Sequence, residues 1–298
     1  MLRMINLKTW MVLLVALGIV LTMPLLGLAG GHGHKKPAKK AILLVTFGTS
    51  VPSAQKVFKT VEAAYRKAFP GVEIRWAYTA KFIRDKLAKK GQVLLSPEVA
   101  LAKLLDENYT QVAVQSLHVI PGAEFHDLLA VVHGFKDMDP NFRPLIGYPL
   151  CATTDDLQAV AAALVADLPK GRSPKQAVVF MGHGTPHPAG VVYPAMAYIL
   201  KKKDPHIFLG TVEGYPTLED VKEGLKAAKI KEAYLLPFMT VAGDHAHNDM
   251  AGPEPDSWKS VLEKAGIRCK PVLKSITENP NIVKIFIAHT KNVMKHFK

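Results

Sequence analysis

Beyond residue 40, short apolar runs alternate with longer stretches in which apolar residues recur every three or four positions. The runs at 41–47, 72–78, 111–117, 143–147, 177–181, 206–210, 232–238 and 268–273 are rich in Val, Ile, Leu and aromatic residues and read as buried strands. Between them lie helical patterns. Val57, Phe58, Val61, Ala64, Tyr65 and Ala68 share one face, and so do Ile282, Ile285, Phe286 and Val293. Asn279 before Pro280 is a helix start signal for the last of them. Regular alternation of this kind predicts an α/β protein whose parallel sheets carry helices on both faces.

The pattern also repeats. Ala-Ile-Leu-Leu-Val-Thr-Phe-Gly-Thr at 41–49 matches Ala-Val-Val-Phe-Met-Gly-His-Gly-Thr at 177–185, which pairs Phe47 with His183. Thr79-Ala80-Lys81 matches Thr211-Val212-Glu213, and the segment 119–126 matches 240–247. Three matches in the same order imply a duplicated chain, with an N-terminal lobe at 41–150, a C-terminal lobe at 151–298 and a cleft between them. The repeat is too long for a solenoid.

Residues 1–40 follow other rules. Arg3 and Lys8 precede a nearly uncharged run from Thr9 to Leu28, and Gly27-Leu28-Ala29 places small residues where a signal peptidase reads. Residues 1–29 therefore read as a secretory signal peptide, with an uncleaved membrane anchor as the alternative, residues 30–40 as a flexible tether, and the periplasm as the destination. No second spanning segment follows, so no stable membrane span is expected after cleavage.

The formal charge of +13 is spread over many helices without an aromatic-interleaved basic motif, which argues for an acidic small-molecule partner and against nucleic acid, although an anionic membrane surface would draw the same charge. Cys151 and Cys269 lie far apart in sequence and without a CxxC, which excludes a zinc ribbon and leaves open a disulfide or two buried thiols.

In open parallel sheets ligands bind beyond the carboxyl ends of the strands. The matched positions fall there: Phe47, Lys81 and Glu124 in the first half, and His183, Glu213 and His245 in the second. Two imidazoles and one carboxylate suit a borderline divalent ion such as Co²⁺, Fe²⁺, Ni²⁺ or Zn²⁺ while leaving coordination positions open for delivery. His247 competes with His245 as a ligand, but its match with His126 favours a shared helix-start hydrogen bond. His118, at another strand end, is open to a proton-moving, substrate-contacting or structural role. His133, His187, His206, His289 and His296 carry no motif.

The segments 46–50, 115–124, 182–185, 212–216 and 242–249 resemble, in order, those of the anaerobic sirohydrochlorin cobaltochelatases, larger relatives of the class II chelatases that include protoporphyrin ferrochelatase. The resemblance covers essentially the whole chain after the tether. It implies two Rossmann-like lobes in a chelatase-like fold, metal ligands at His183, Glu213 and His245, and substrate contacts at Thr49, Ser50, His118 and Glu124. It further implies insertion of Co²⁺, as a substrate ion, into sirohydrochlorin on the early-cobalt route to cobalamin. Fe²⁺ insertion to give sirohaem fits the same ligands. No nucleotide is called for, and a homo-oligomer is compatible. An export signal departs from cytoplasmic biosynthesis and leaves a periplasmic metal or tetrapyrrole carrier as the alternative.

Overall fold

The computed structural model describes residues 38–297. The expected signal peptide and most of the tether lie outside the described residues. The tether ends earlier than its composition implied. The Lys39 carbonyl oxygen accepts from the backbone N–H groups of Thr110 and Gln111, and the Lys39 ammonium sits 4.0 Å from the Tyr109 ring centroid.

All eight expected strands form: β1 (Lys40–Thr46), β2 (Glu73–Tyr78), β3 (Gln111–Ser116), β4 (Arg143–Gly147), β5 (Ala177–Gly184), β6 (Ile207–Glu213), β7 (Glu232–Pro237) and β8 (Arg268–Pro271). They build two four-stranded sheets ordered β2-β1-β3-β4 and β6-β5-β7-β8, with every pairing parallel. The central strands are buried on both faces; Ala41–Val45 and Ala177–Val179 are 0% exposed. That burial explains why they read as unbroken apolar runs.

The duplication holds at the level of single hydrogen bonds. Leu117 N–H donates to Val45 at 2.7 Å, and Phe238 N–H donates to Met181 at 2.7 Å, as the match of Phe47 with His183 requires. His126 N–H bonds to Gly122 and His247 N–H to Gly243, which is the helix-start bond expected of both.

Helices fill the crossovers. The first lobe carries α1 (Pro52–Ala68), α2 (Lys81–Ala88), α3 (Pro97–Asp106) and α4 (Ala123–Lys136), and α5 (Thr154–Ala166) follows β4. The second repeats the plan with α6 (Val192–Lys203), α7 (Leu218–Ala227), α8 (Trp258–Lys264) and α9 (Pro280–Met294). The apolar stripes face inward as predicted: Val57, Val61 and Tyr65 of α1 and Ile282, Phe286 and Val293 of α9 are buried. Asn279 caps α9, its side chain accepting from Asn281 N–H.

The boundary after residue 150 marks the repeat but not the packing. Helix α5 packs on α6 of the second lobe, and α9 packs across β3 and β4 of the first. The two last helices are thus exchanged and touch each other, with Asn279 Nδ2 donating to the Ala163 carbonyl at 2.8 Å in the interior. One hydrophobic core runs through both halves as a result, from Ile42 and Tyr65 to Phe238 and Phe286. Cys151 and Cys269 are both buried free thiols. No helix among the described residues is long and apolar enough to cross a membrane.

Candidate metal centre

In each sheet the chain leaves its first strand toward one edge, then crosses back to the other side. The order therefore reverses between β5 and β7, and the segments that follow these two strands diverge to leave a crevice at their carboxyl ends. His183 lies at the end of β5, and His245 follows β7 just before a short π-helix, Ala246–Met250. Their rings meet edge to face, with centroids 4.7 Å apart and planes at 88°.

Both rings are held by Nδ1. That of His183 lies 3.0 Å from the Gly184 carbonyl oxygen, to which it can only donate. That of His245 bonds to the carboxylate of Asp249. With Nδ1 serving as donor, each neutral ring presents a bare Nε2 lone pair. Asp249 is the orienting residue that reading the sequence missed. Its position four residues after His245, one helical turn away, was the available signal. His245 and Asp249 are 40% and 43% exposed, so the pair stands open to solvent.

Glycines make the approach possible. Gly184 has φ +84°, and a Cβ there would lie 1.5 Å from the Glu213 carbonyl oxygen; a Cβ on Gly182 would lie 2.5 Å from the Tyr193 ring. Strands β5 and β6 extend three residues further than their apolar runs, to Gly184 and Glu213, which are partners in the ladder. His183 and Glu213 consequently sit on adjacent strand ends. The carboxylate does not close on the imidazoles, however. Among the described residues no three His, Cys, Asp or Glu side chains group closely enough to hold a metal ion. The expected three-donor set is therefore two joined imidazoles with an exposed Glu213 on the neighbouring strand. The register accounts for this: Gly184, not His183, pairs with Glu213, so the two donors are offset by one residue in the pleat.

The other expected contacts lie at strand ends of the first lobe. Thr49 is buried, accepts from Val51 N–H at 3.2 Å, and would stand 3.1 Å from a Cβ on Gly243, so it props the loop that carries His245. Ser50 beside it is half-buried, as is Glu124 on the first turn of α4. Phe47 packs edge-on to Phe82, and Lys81 pairs with Asp85, so neither counterpart in the first repeat offers a ligand. His118 Nδ1 meets Ser116 Oγ at 2.8 Å, whereas its Nε2 atom is buried without a partner. Burial lowers its pKa to about 4, so it is neutral in ordinary buffers. A separate hollow is lined by Lys39, Phe69 and Tyr109 at the amino ends of the first sheet. The candidate imidazole pair is exposed instead of enclosed.

Two similar parallel sheets with paired imidazoles at a topological switch point define a two-lobed protein of the chelatase fold. Its likeness to SirB from Bacillus subtilis, solved with Fe3+, has a TM-score of 0.59 at 16% identity and covers 86% of this chain and 95% of that one. The family model described as cobalt chelatase (CbiK) matches residues 40–295, and the chain belongs to that family. Among curated relatives, the sirohydrochlorin cobaltochelatase CbiKC of Nitratidesulfovibrio vulgaris is 43% identical, over 86% of this chain and 91% of its own length. The sirohydrochlorin cobaltochelatase of Salmonella typhimurium is 35% identical, over 84% and 95%.

Proposed function

We propose that this protein is a sirohydrochlorin cobaltochelatase, inserting Co²⁺ as substrate into the macrocycle, and that it works in the periplasm. The observation that carries the catalytic reading is the joined His183–His245 pair with both Nε2 atoms bare at the β5–β7 switch point. Membership of the cobalt chelatase family supports the ion, and the relatives named for sirohydrochlorin support the macrocycle. The signal-like composition of residues 1–29 supports the address.

The two imidazoles seize the ion first. Glu213 then rotates in from the adjacent strand end, and the half-neutralised ion keeps open positions for pyrrole nitrogens. Two pyrrole protons must leave as the metal enters. The carboxylate of Glu213 takes one as the ion releases it, and a freed Nε2 of His183 or His245 takes the other. Because imidazole and carboxylate also ligate Fe²⁺, though less tightly than Co²⁺, sirohaem formation is a second activity of the same centre.

The test follows the absorbance of sirohydrochlorin with Co²⁺, then with Fe²⁺, and catalytic amounts of protein. Wild type should turn over many equivalents, while His183→Ala and His245→Ala should lose at least about 100-fold. A reaction that stops at one equivalent identifies a carrier instead. Fractionation of cells making the full chain tests the address; retention in the cytoplasm would refute it.

A further inference from the structure

Two histidines outside the candidate metal centre meet across the lobes. His126, on the first turn of α4, and His187, beyond the end of β5, stack with ring centroids 4.9 Å apart and planes at 30°. Neither carried a motif that pointed to the other. Both lie at carboxyl ends of strands, on the side of the sheets where His183 and His245 stand.

Their hydrogen bonds assign opposite roles to the rings. The backbone N–H of Ala189 donates to His187 Nδ1 at 3.0 Å. That nitrogen therefore carries no proton, and the neutral ring holds its hydrogen on Nε2. His126 Nδ1 lies 3.0 Å from the Gly122 carbonyl oxygen, which only accepts, so there the hydrogen is on Nδ1. His187 thus lacks the free Nε2 lone pair of His183 and His245 and is no metal ligand while it keeps Ala189. It is a fixed N–H donor, half-buried and accessible, with its plane held by the His126 ring. A fixed donor where the lobes meet, on the side of the sheets that carries the imidazole pair, suits an anionic acceptor borne by a macrocycle bound there.

We propose that the His126–His187 stack is a clasp for one carboxylate of the tetrapyrrole: His187 Nε2–H donates to it, and His126 positions His187. The substrate class rests on the chelatase reading; the donor geometry does not.

The experiment titrates the full chain with metal-free sirohydrochlorin by fluorescence, then with its carboxyl-esterified form, and measures Co²⁺ insertion in parallel. His187→Ala should weaken binding of the acid about tenfold, the worth of one charge-assisted hydrogen bond, and should raise KM rather than lower kcat. His187→Gln, which restores an N–H donor, should recover most of that loss. His126→Phe, which keeps the stacking face, should bind better than His126→Ala. His206→Ala, whose ring bonds to Pro174 instead, should bind as wild type. On the ester, wild type and His187→Ala should differ little. Equal affinity of wild type and His187→Ala for the acid, or equal loss on acid and ester, overturns the clasp while leaving insertion intact. Tight binding weakened by His187→Ala, with no insertion by wild type, would instead sink the chelatase reading and keep the clasp.

Discussion

Gly184 separates two costs that glycine substitutions usually confound. Its φ of +84° is unfavourable for any residue with a Cβ, and the added atom would lie 1.5 Å from the Glu213 carbonyl oxygen. Gly171 shares the first problem, with φ +78°, but has nothing within 4 Å of the added atom. Gly171→Ala should therefore cost about 1–2 kcal/mol, the penalty of a left-handed backbone alone. Gly184→Ala carries that penalty and a steric one of about 1–3 kcal/mol, for about 2–5 kcal/mol in total. The steric part can be relieved only by parting β5 from β6, which moves His183 away from Glu213. A displacement of about 1 Å at reacting groups costs about 100-fold in rate. Urea unfolding of both variants gives the stability difference from the midpoints at constant slope, and cobalt insertion gives the rate. Unfolding of Gly184→Ala within about 0.5 kcal/mol of Gly171→Ala, or wild-type insertion by it, would refute a steric role for this glycine.

Other expectations concern the residues around the centre and the exchanged helix. Asp249→Ala frees the His245 ring and should lower cobalt affinity or insertion about 10- to 100-fold, and Asp249→Asn should do so less; a cobalt titration without loss would show that the ring needs no such partner. Thr290 bonds to Gln115 Oε1 at 2.9 Å and to the Tyr65 hydroxyl at 3.1 Å, all in the interior. Thr290→Val strands both partners and should cost about 2–4 kcal/mol in denaturant, a value below about 1 kcal/mol contradicting the role of this chain of bonds. His118 has a folded pKa of about 4 against an ordinary value of 6.5. Between these the unfolded chain binds the extra proton, so stability falls as pH drops from about 6.5 to about 4, by up to about 3 kcal/mol. His118→Gln should flatten that part of the pH–stability curve; an unchanged slope would place the imidazole in solvent.

Much of this was legible because burial imposes period and length. Strands covered on both faces read as apolar runs, and all eight were found where those runs lie. Their last residues were missed in β5 and β6 because the ladder continues through His183 and Glu213, polar groups that apolar patterning cannot count. The stripe on α9 announced a buried face but not its host, since Ile282 and Phe286 would suit either sheet. What selects the first sheet is a polar lock. Gln115, Thr290 and Tyr65 join residues far apart in sequence, and Gly147 leaves room for the Gln115 side chain, which a Cβ would meet at 2.3 Å. The imidazole pair was foreseeable from the repeat, because His183 and His245 occupy matched positions beyond the carboxyl ends of β5 and β7, on either side of the reversal in strand order. The stack of His126 on His187 was not, since their positions differ between the halves.

The reciprocal crossing of α5 and α9 bears on ancestry and on motion alike. Two separate half-length chains folded this way would each lend a terminal helix to the other, so the present polypeptide amounts to a swapped dimer made permanent by fusion. Neither half can swing as an independent jaw, because each is buttressed by a rod rooted in its twin. Adjustment to a flat ligand during turnover then falls to side chains at the strand ends.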